Sequence, residues 1–336
     1  MDKTGREGGK VCVEEPGHGV SDSRRHRGGE YRDEQTQCLV QVEDEERTQE
    51  GGWGSVHRVK FGTLNCGVRG IVDEMDVVKL ATVIEMRGID VMGVPETWRG
   101  EEDRDRKDIG VKKSDEEIKR DRNLLGDEYV WVERVRMKGT RGGVGIAVRK
   151  TCGIVRVVEE WSNEEVLWVC IQLRGGGLLY VCCVYLRSTG GIEGSLSCLA
   201  KGLAMTENEG MVVVMGDVNG RIGRLPNKVG GGVVERVSDD PMVNPQGREV
   251  MTLMNECGMV VMNGVGGEET GRCTCRGASV VDWMAVRLGM MATCGMVEVE
   301  EGWMSEGGRA DGDHNLVMIV CEYTGDGSRG QETQEE

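Results

Sequence analysis

A single apolar run that ends in two polar residues sets the strongest limit on what this chain can fold into. Residues 211–219 read Met-Val-Val-Val-Met-Gly-Asp-Val-Asn, a β-branched run typical of a strand buried on both faces. Gly216 interrupts the run, so that Asp217 and Asn219 lie where the strand is predicted to end. Side chains two residues apart project to the same side of an extended chain. Because hydrophobic burial does not call for an acid and an amide there, we interpret the strand end as the floor of an active site.

Two predicted strands nearer the N-terminus also end in polar residues. The apolar pattern predicts strands over 59–64 and 89–94 around a helix over 73–87. Asn65 follows the first of these strands, and Glu96 follows the second. The segment is therefore a strand–helix–strand unit with a polar residue at the end of each strand.

Polar residues also accompany three later strands. Tyr185 closes a strand predicted over 178–185, Asp282 lies in one over 280–286, and Asp313-His314 stand just before the last strand. The other predicted elements are strands over 129–135, 143–148, 154–158, 166–173, 259–262 and 316–321 and helices over 192–205 and 249–257.

These elements predict one domain over 56–324. Residues 1–55 and 325–336 are polar and show no sustained period, so we expect disordered tails there. Residues 99–127 are almost wholly charged and polar, and we expect them to form an exposed insertion loop. Residues 222–248 contain Gly and Pro and are predicted to form a second long loop.

Charge and cysteine content narrow the class of protein. A formal charge of −16 argues against a broad basic surface for nucleic acid. The basic patch over 24–27 is compatible with a localisation signal or a nucleic-acid contact, and more simply with a solvated tail. The 13 cysteines do not suggest a disulfide scaffold, and several, such as Cys321, stand in apolar runs where a free thiol acts as a small hydrophobe. We therefore expect a reducing, intracellular location, nuclear or cytoplasmic.

Four other classes of site or segment find little support. Cys273 and Cys275 form a C-x-C pair without a second pair at zinc-finger spacing. The glycine cluster over 142–145 lacks the Lys-Ser/Thr that a phosphate-binding P-loop needs. The apolar run over 178–186 is far too short to span a membrane, and the polar N-terminus does not resemble a secretory signal.

The polar strand ends, taken in order, resemble one family. The motifs are Thr63-Leu-Asn65, Pro95-Glu96-Thr, Val184-Tyr185-Leu, Gly216-Asp-Val-Asn219, Val281-Asp282-Trp283 and Gly312-Asp-His314. Together they resemble the endonuclease/exonuclease/phosphatase superfamily, and within it the apurinic-type endonuclease domain of non-LTR (LINE-like) retrotransposons. The stretches Asn244-Pro-Gln-Gly-Arg248 and Thr274-Cys-Arg-Gly also look like that branch.

The resemblance implies both a fold and an activity. The implied fold is α/β (α+β), a four-layer sandwich of two packed, mainly antiparallel β-sheets flanked by helices. The implied activity is that of a Mg²⁺-dependent DNA endonuclease, with Mn²⁺ as a substitute, which nicks target DNA for target-primed reverse transcription. The implied partners are the phosphate backbone of DNA and a reverse transcriptase domain absent from this chain, with no membrane.

The resemblance also implies which residues hold the metal and activate the water. Glu96 would be the main metal ligand, with Asn65 beside it and Asp313 nearby through water. Asp217, helped by Asn219, would orient or deprotonate the attacking water. Hard oxygen ligands of this kind suit Mg²⁺ or Mn²⁺.

A second group of residues would contact the substrate. His314, held by Asp282, would be a protonated donor to the scissile phosphate, and Tyr185 would hydrogen-bond that phosphate. Arg187 and Arg221 stand next to motif residues, and each would contact the DNA backbone or form a surface charge pair.

Two departures from the family pattern keep alternatives open. Gly67 stands where many members carry a second acid or amide, and Gly312 replaces the Ser of the usual Ser-Asp-His motif. The alternatives are another phosphoesterase of the superfamily, such as an abasic-site repair endonuclease or a small-molecule or lipid phosphatase, and a catalytically silent relic that only binds.

Overall fold

The computed structural model describes residues 56–67, 70–71, 74–99, 124–136, 142–174, 176–188, 191–209, 211–301 and 313–324. The predicted tails, the basic patch over 24–27 and most of the predicted loop over 99–127 lie outside these ranges. Fourteen strands and three α-helices occur in the described part of the chain. They are β1 (Val56–Thr63), α1 (Glu74–Met86), β2 (Val91–Pro95), β3 (Tyr129–Arg134), β4 (Val144–Arg149), β5 (Gly153–Val157), β6 (Val166–Leu173), β7 (Leu178–Tyr185), α2 (Glu193–Met205), β8 (Met211–Asp217), β9 (Asn227–Val229), β10 (Gly232–Val234), α3 (Pro245–Glu256), β11 (Met259–Val261), β12 (Asp282–Arg287), β13 (Glu298–Glu300) and β14 (Leu316–Thr324).

Twelve of these strands form two six-stranded sheets. The first sheet has the order β13-β14-β1-β2-β4-β3, and the second has the order β11-β12-β8-β7-β6-β5. Each sheet contains one parallel pair, β1 with β2 and β7 with β8, and the remaining neighbours are antiparallel. In both sheets a helix connects the two parallel strands, α1 in the first and α2 in the second. The predicted mainly antiparallel pair of sheets is confirmed.

The two sheets pack face to face over the main hydrophobic core. Strands of both contribute fully buried residues to it, such as Ile146 from the first sheet and Leu167 and Val213 from the second. The sheets approach closely at Gly93, where a Cβ atom would lie 3.0 Å from the side chain of Met215. A glycine on one sheet therefore makes room for a methionine on the other.

Helices cover the outer face of each sheet. Leu80 and Ile84 of α1 pack in one cluster with residues of the first sheet, including Trp131. Leu199 of α2 and Val250 of α3 pack in another cluster on the second sheet. The expected four-layer arrangement of helix, sheet, sheet and helices follows from this burial.

Several local features differ from the sequence-based predictions. Helix α3 begins at Pro245, four residues before the predicted start, because the Asn244 side chain caps it by accepting a hydrogen bond of 2.6 Å from the Gly247 N–H. The short strands β9, β10 and β13 were not predicted, because three residues are too few to show a period.

Cys321 is not a free thiol as expected but forms a disulfide with Cys294. Among the described helices, none is long and apolar enough to cross a membrane.

Candidate active site

The carboxyl ends of the two parallel strand pairs meet at one cavity. Tyr185 and Asp217 are the last residues of β7 and β8, while Asn65 and Glu96 follow β1 and β2 closely. A cavity of about 530 Å³ is lined by Glu96, Tyr185 and Asp217, among others. Parallel strands present their carboxyl ends at the same edge, which is where ligands bind in α/β sheets. Each sheet therefore contributes polar groups to the same cavity.

Glu96 is placed by a strained turn after β2. Its φ angle is 56°, a left-handed conformation that is uncommon outside glycine. The Tyr185 hydroxyl, from the other sheet, donates a hydrogen bond to a Glu96 carboxylate oxygen. Burial and this hydrogen bond raise the pKa of Tyr185, so the phenol stays protonated and able to donate. The contact joins the two sheets across the cavity.

Asp217 lies at the centre of an amide network and is buried. Its two carboxylate oxygens accept hydrogen bonds from the Asn219 backbone N–H at 2.8 Å, from Asn65 Nδ2 at 2.8 Å and from Asn219 Nδ2 at 3.1 Å. Asn219 has a φ of 48°, which asparagine tolerates better than most residues, and its Nδ2 also reaches the Leu186 carbonyl at 2.8 Å. Asp217 and Asn219 are thus joined by direct hydrogen bonds, and their role toward a water stays a prediction.

The surroundings of Asp217 shift its protonation equilibrium. Burial, followed by the negative charge of Asp282, raises the pKa of Asp217 to about 8. The positive charge of His314 and the hydrogen bonds from Asn219 and Asn65 offset part of this rise. A carboxylate with a pKa in this range exchanges protons near neutral pH, as a general base must.

His314 is held by an acid that is completely buried. Its Nδ1 lies 2.8 Å from Asp282 Oδ2, and Asp282 is 0% exposed. Asp282 is the register partner of Asp217 across β12 and β8, so His314 and both acids lie close together. Burial alone would lower the pKa of His314, but the charge and hydrogen bond of Asp282 dominate and raise it to about 12. The pairing with Asp282 therefore favours the imidazolium form of His314 at neutral pH.

The other ring nitrogen of His314 contacts a residue that the sequence analysis did not assign to the site. Cys275 Sγ lies 3.5 Å from His314 Nε2. Backbone hydrogen bonds align the two segments: the Arg276 N–H donates to the Asp313 carbonyl at 2.7 Å, and the Asn315 N–H donates to the Thr274 carbonyl at 2.7 Å. This pairing carries the segment before β14 to the edge of the cavity.

Two groups of residues have the chemistry of a cation site. Asp217, Asp282 and His314 bring ligand atoms within 4.8 Å of one another, but His314 is already paired with Asp282 and charged. Glu96 and Asp313 both line the cavity, and Asn65, 2% exposed, is hydrogen-bonded to the lining residue Asp217. These three supply only hard oxygen donors, as a site for Mg²⁺ or Mn²⁺ requires. The donor set predicted for the metal therefore fits the chemistry of the ion.

Gly67 takes part in this arrangement through its backbone. At a φ of 62° its N–H donates a hydrogen bond of 2.7 Å to Asn65 Oδ1, and Gly67 lines the cavity. Gly67 therefore offers the cavity a backbone N–H and no side chain. Asn65 is oriented by this bond on one side and by Asp217 on the other.

The two arginines predicted to contact DNA differ in position. Arg187 lines the cavity and forms an ion pair with the buried Glu165. Arg221 does not line it: its Nε lies 2.8 Å from Asp240 Oδ2, and its Nη2 reaches the Ala278 carbonyl at 3.1 Å. DNA contact by either residue stays a prediction.

Four cavity residues were missed by the sequence analysis: Trp98, Arg136, Ser188 and Arg276. Arg276, which pairs with the Asp313 carboxylate, stands in the Thr274-Cys-Arg-Gly stretch that carried part of the resemblance. Trp98 stands two residues after Glu96, so its closeness to a motif was the available signal. All four lie outside regular elements, where no periodicity indicates the direction of a side chain.

Comparisons with known proteins concern the fold. No known protein-family model matches the sequence, and no curated protein matches it. The endonuclease domain of TRAS1, a telomere-specific non-LTR retrotransposon, is similar with a TM-score of 0.55 and 14% identity, over 79% of this chain and 98% of that one. The AP endonuclease LMAP from Leishmania major gives a TM-score of 0.56 and 14% identity, over 79% and 88%. An endonuclease/exonuclease/phosphatase family protein from Leptotrichia buccalis gives a TM-score of 0.50 and 14% identity, over 79% and 100%.

Proposed function

We propose that this chain, whose fold is that of the endonuclease/exonuclease/phosphatase superfamily, hydrolyses phosphodiester bonds of DNA with a divalent cation. One observation carries the proposal: Glu96 from one sheet, Asp217 from the other and the charged His314 all line one cavity. Hydrolysis of a phosphodiester needs its charge neutralised, a water deprotonated and a leaving oxygen stabilised. A hard carboxylate, a buried acid of raised pKa and an imidazolium supply groups for these tasks.

Asp217 is the residue that we assign to the attacking water. Its raised pKa makes the carboxylate a stronger proton acceptor than an exposed aspartate. Asn219 and Asn65 hold both carboxylate oxygens, which limits rotation of the group. The proton taken from the water would be stored on Asp217, where burial and the charge of Asp282 favour the neutral form.

His314 is the residue that we assign to the scissile phosphate. With Nδ1 held by Asp282, only Nε2 is directed away from that acid, and it carries a proton because the pKa of the ring is raised. Nε2–H would donate to a phosphate oxygen and exchange its contact with Cys275 for that bond. The Tyr185 hydroxyl, also in the cavity, has one proton to donate, so it would exchange its hydrogen bond to Glu96 for one to the same phosphate.

Glu96, Asp313 and Asn65 are the residues that we assign to the cation. Within the described part of the chain, the side-chain contacts of Glu96 with Tyr185 and of Asp313 with Arg276 each use one carboxylate oxygen, which leaves the second for a ligand. When bound, Mg²⁺ or Mn²⁺ would neutralise phosphate charge and polarise the phosphoryl group.

We further propose that the reaction is a single-strand nick that leaves a 3′-hydroxyl for target-primed reverse transcription. The motifs of the retrotransposon branch support this role, and the TRAS1 domain has the same fold. The AP endonuclease from Leishmania major shares that fold equally well, which supports an abasic-site endonuclease as the second candidate. An intracellular location and a reverse transcriptase partner stay predictions.

A plasmid-nicking assay tests the proposal. Supercoiled plasmid is incubated with the protein and Mg²⁺, with Mn²⁺, or with EDTA. We expect nicked circles with either metal and none with EDTA. Asp217→Ala and His314→Ala should each reduce the nicking rate by about 100-fold or more, since each removes a proton-transfer or charge-stabilising group.

The matched control is Glu249→Gln, which removes an exposed carboxylate on α3 and should nick at the wild-type rate. A parallel substrate, a duplex with one abasic site, distinguishes the two candidates. Cleavage of the abasic duplex without nicking of the intact plasmid would favour the abasic-site endonuclease over the target-nicking endonuclease. A wild-type protein that cleaves neither DNA with any divalent metal would contradict the proposed function.

A further inference from the structure

Trp98 presents carbon surface to a cavity that is otherwise mostly polar. It lines the cavity and is partly exposed, while its indole Nε1 is covered by protein atoms. Because Nε1 is the one polar atom of the side chain, any part of the side chain that meets the cavity is carbon. Most other lining side chains are charged or polar, among them Arg136, Arg187 and Arg276.

The backbone of Trp98 is held in a conformation that a large side chain rarely adopts. Its φ is 52°, and its N–H donates a hydrogen bond of 2.9 Å to the Gly142 carbonyl. A Cβ atom at Gly70 would lie 2.6 Å from the Trp98 Cβ, so a glycine is needed there for Trp98 to occupy its place. A tryptophan with positive φ is an outlier that costs about 1–3 kcal/mol, and such strain is concentrated at functional sites.

The chemistry of a nucleic acid matches a cavity built in this way. A phosphate attracts cationic side chains, and in DNA each phosphate is joined to a nucleoside whose base has a flat apolar face. Bases stack on exposed aromatic rings with little regard to sequence. A free phosphate or a small aliphatic phosphoester has no part that gains from an aromatic surface.

We propose that Trp98 is a stacking platform for a nucleobase next to the scissile phosphate, so that the site selects nucleic acid over smaller phosphoesters. The inference rests on the proposed function and specifies the substrate class of the same site. Trp98 would be a specificity-determining residue that binds a base and leaves proton transfer to Asp217 and His314.

A binding experiment in EDTA tests the stacking without any turnover. Two fluorescein-labelled octamers are compared by anisotropy: octathymidylate and an abasic octamer with the same number of phosphates. The wild-type protein should bind octathymidylate at least about 5-fold more tightly, because stacking on an aromatic residue has an effect of roughly 5- to 150-fold per base. Equal affinity of the wild-type protein for both octamers would overturn the inference, whatever the variants do.

Three variants then assign the preference to Trp98. Trp98→Leu and Trp98→Ala should lose the preference for octathymidylate and bind the abasic octamer within about 2-fold of wild type, while Trp98→Phe should keep most of it. Retention of the preference in folded Trp98→Leu would overturn the inference, as would an equal loss of affinity for both octamers.

A pair of small substrates separates this inference from the proposed function. Thymidine 5′-(p-nitrophenyl phosphate) and methyl p-nitrophenyl phosphate share a leaving group and differ in the nucleoside. The wild-type protein with Mn²⁺ should prefer the thymidine ester, and Trp98→Leu should not. Hydrolysis of both esters at equal rates would leave the phosphodiesterase standing and overturn the stacking role. Base-dependent binding without hydrolysis of any phosphodiester would support the stacking role of Trp98 and contradict the proposed phosphodiesterase.

Discussion

At the scale of single residues, two buried acids lie close to a partly buried imidazole. Asp217 is 1% exposed and Asp282 is 0% exposed, and they face each other on neighbouring strands. His314 neutralises Asp282 directly, so the cost of burying charge falls mainly on Asp217. Burial and the charge of Asp282 accordingly raise the pKa of Asp217 to about 8.

This cost should be measurable as a pH dependence of stability. The pKa of Asp217 rises from 3.8 to about 8 on folding, so the folded state binds this proton more tightly and loses stability as pH rises between those values. The pKa of His314 rises from 6.5 to about 12, so its contribution is fully present well below pH 6.5 and is lost progressively as pH rises from 6.5 to about 12. Between about pH 5 and 6.5 the Asp217 contribution changes throughout, whereas the His314 contribution begins to fall only as pH approaches 6.5.

We predict that Asp217→Asn reduces the loss of stability between pH 5 and 6.5. The wild-type protein should lose up to about 1 kcal/mol per pH unit more than this variant, because the amide has no proton to release. Urea unfolding in EDTA at three pH values measures the slope, whatever the absolute stability of the variant. Glu249→Gln is the control, and an Asp217→Asn slope equal to that of the wild type would contradict the raised pKa.

At the scale of elements, the parallel pair of β7 and β8 depends on one glycine. Gly216 has a φ of 132°, and a Cβ atom there would lie 2.1 Å from the Val184 carbonyl oxygen on the neighbouring strand. The glycine thus allows the strands to stay paired where Asp217 turns into the site. In the sequence it looked only like an interruption of the apolar run.

Gly216→Ala should destabilise the protein by about 2–4 kcal/mol, because it combines backbone strain with overpacking against a strand. The matched control is Gly231→Ala in the turn between β9 and β10, where φ is 76° and a Cβ atom would meet no atom within 4 Å. Gly231→Ala adds backbone strain without overpacking, and we expect it to lower the free energy of unfolding by about 1 kcal/mol. Urea unfolding measures both, and equal costs would show that close strand packing at Gly216 is not the cause.

At the scale of the whole molecule, the site exists only because the two sheets face each other. Asn65 and Glu96 come from the first sheet, whereas Tyr185 and Asp217 come from the second, and His314 precedes a strand of the first. The core between the sheets therefore holds the two halves of the site in register. Its residues, such as Leu167, are fully buried.

Leu167→Ala should lower the free energy of unfolding by about 3 kcal/mol, the usual cost of a cavity in a core. Because both sheets share this core, fluorescence and far-UV circular dichroism should report one transition at one urea midpoint. Met205→Ala, at a residue that is 58% exposed, is the control and should change stability by less than about 0.5 kcal/mol. Two separate transitions would contradict a shared core.

The sequence alone was sufficient to locate most elements and the order of the polar strand ends. Long apolar runs such as β6, β7 and β8 were predicted to within a residue or so, because strand burial imposes a pattern of several residues. The three-residue strands were missed, since a pattern needs greater length. The start of α3 was predicted late, because its cap depends on one side-chain hydrogen bond of Asn244.

Which residues share one cavity was decided only by the tertiary structure. The contact of His314 with Cys275, the placement of Trp98 and Arg276 in the cavity and the position of Arg221 outside it depend on loops that meet after the sheets have packed. The physical reason is that periodicity reports burial of a residue along its own element, whereas a site is made by contacts between elements distant in sequence. The chain determined by itself which polar groups stand at strand ends, and packing of two sheets determined which of them meet.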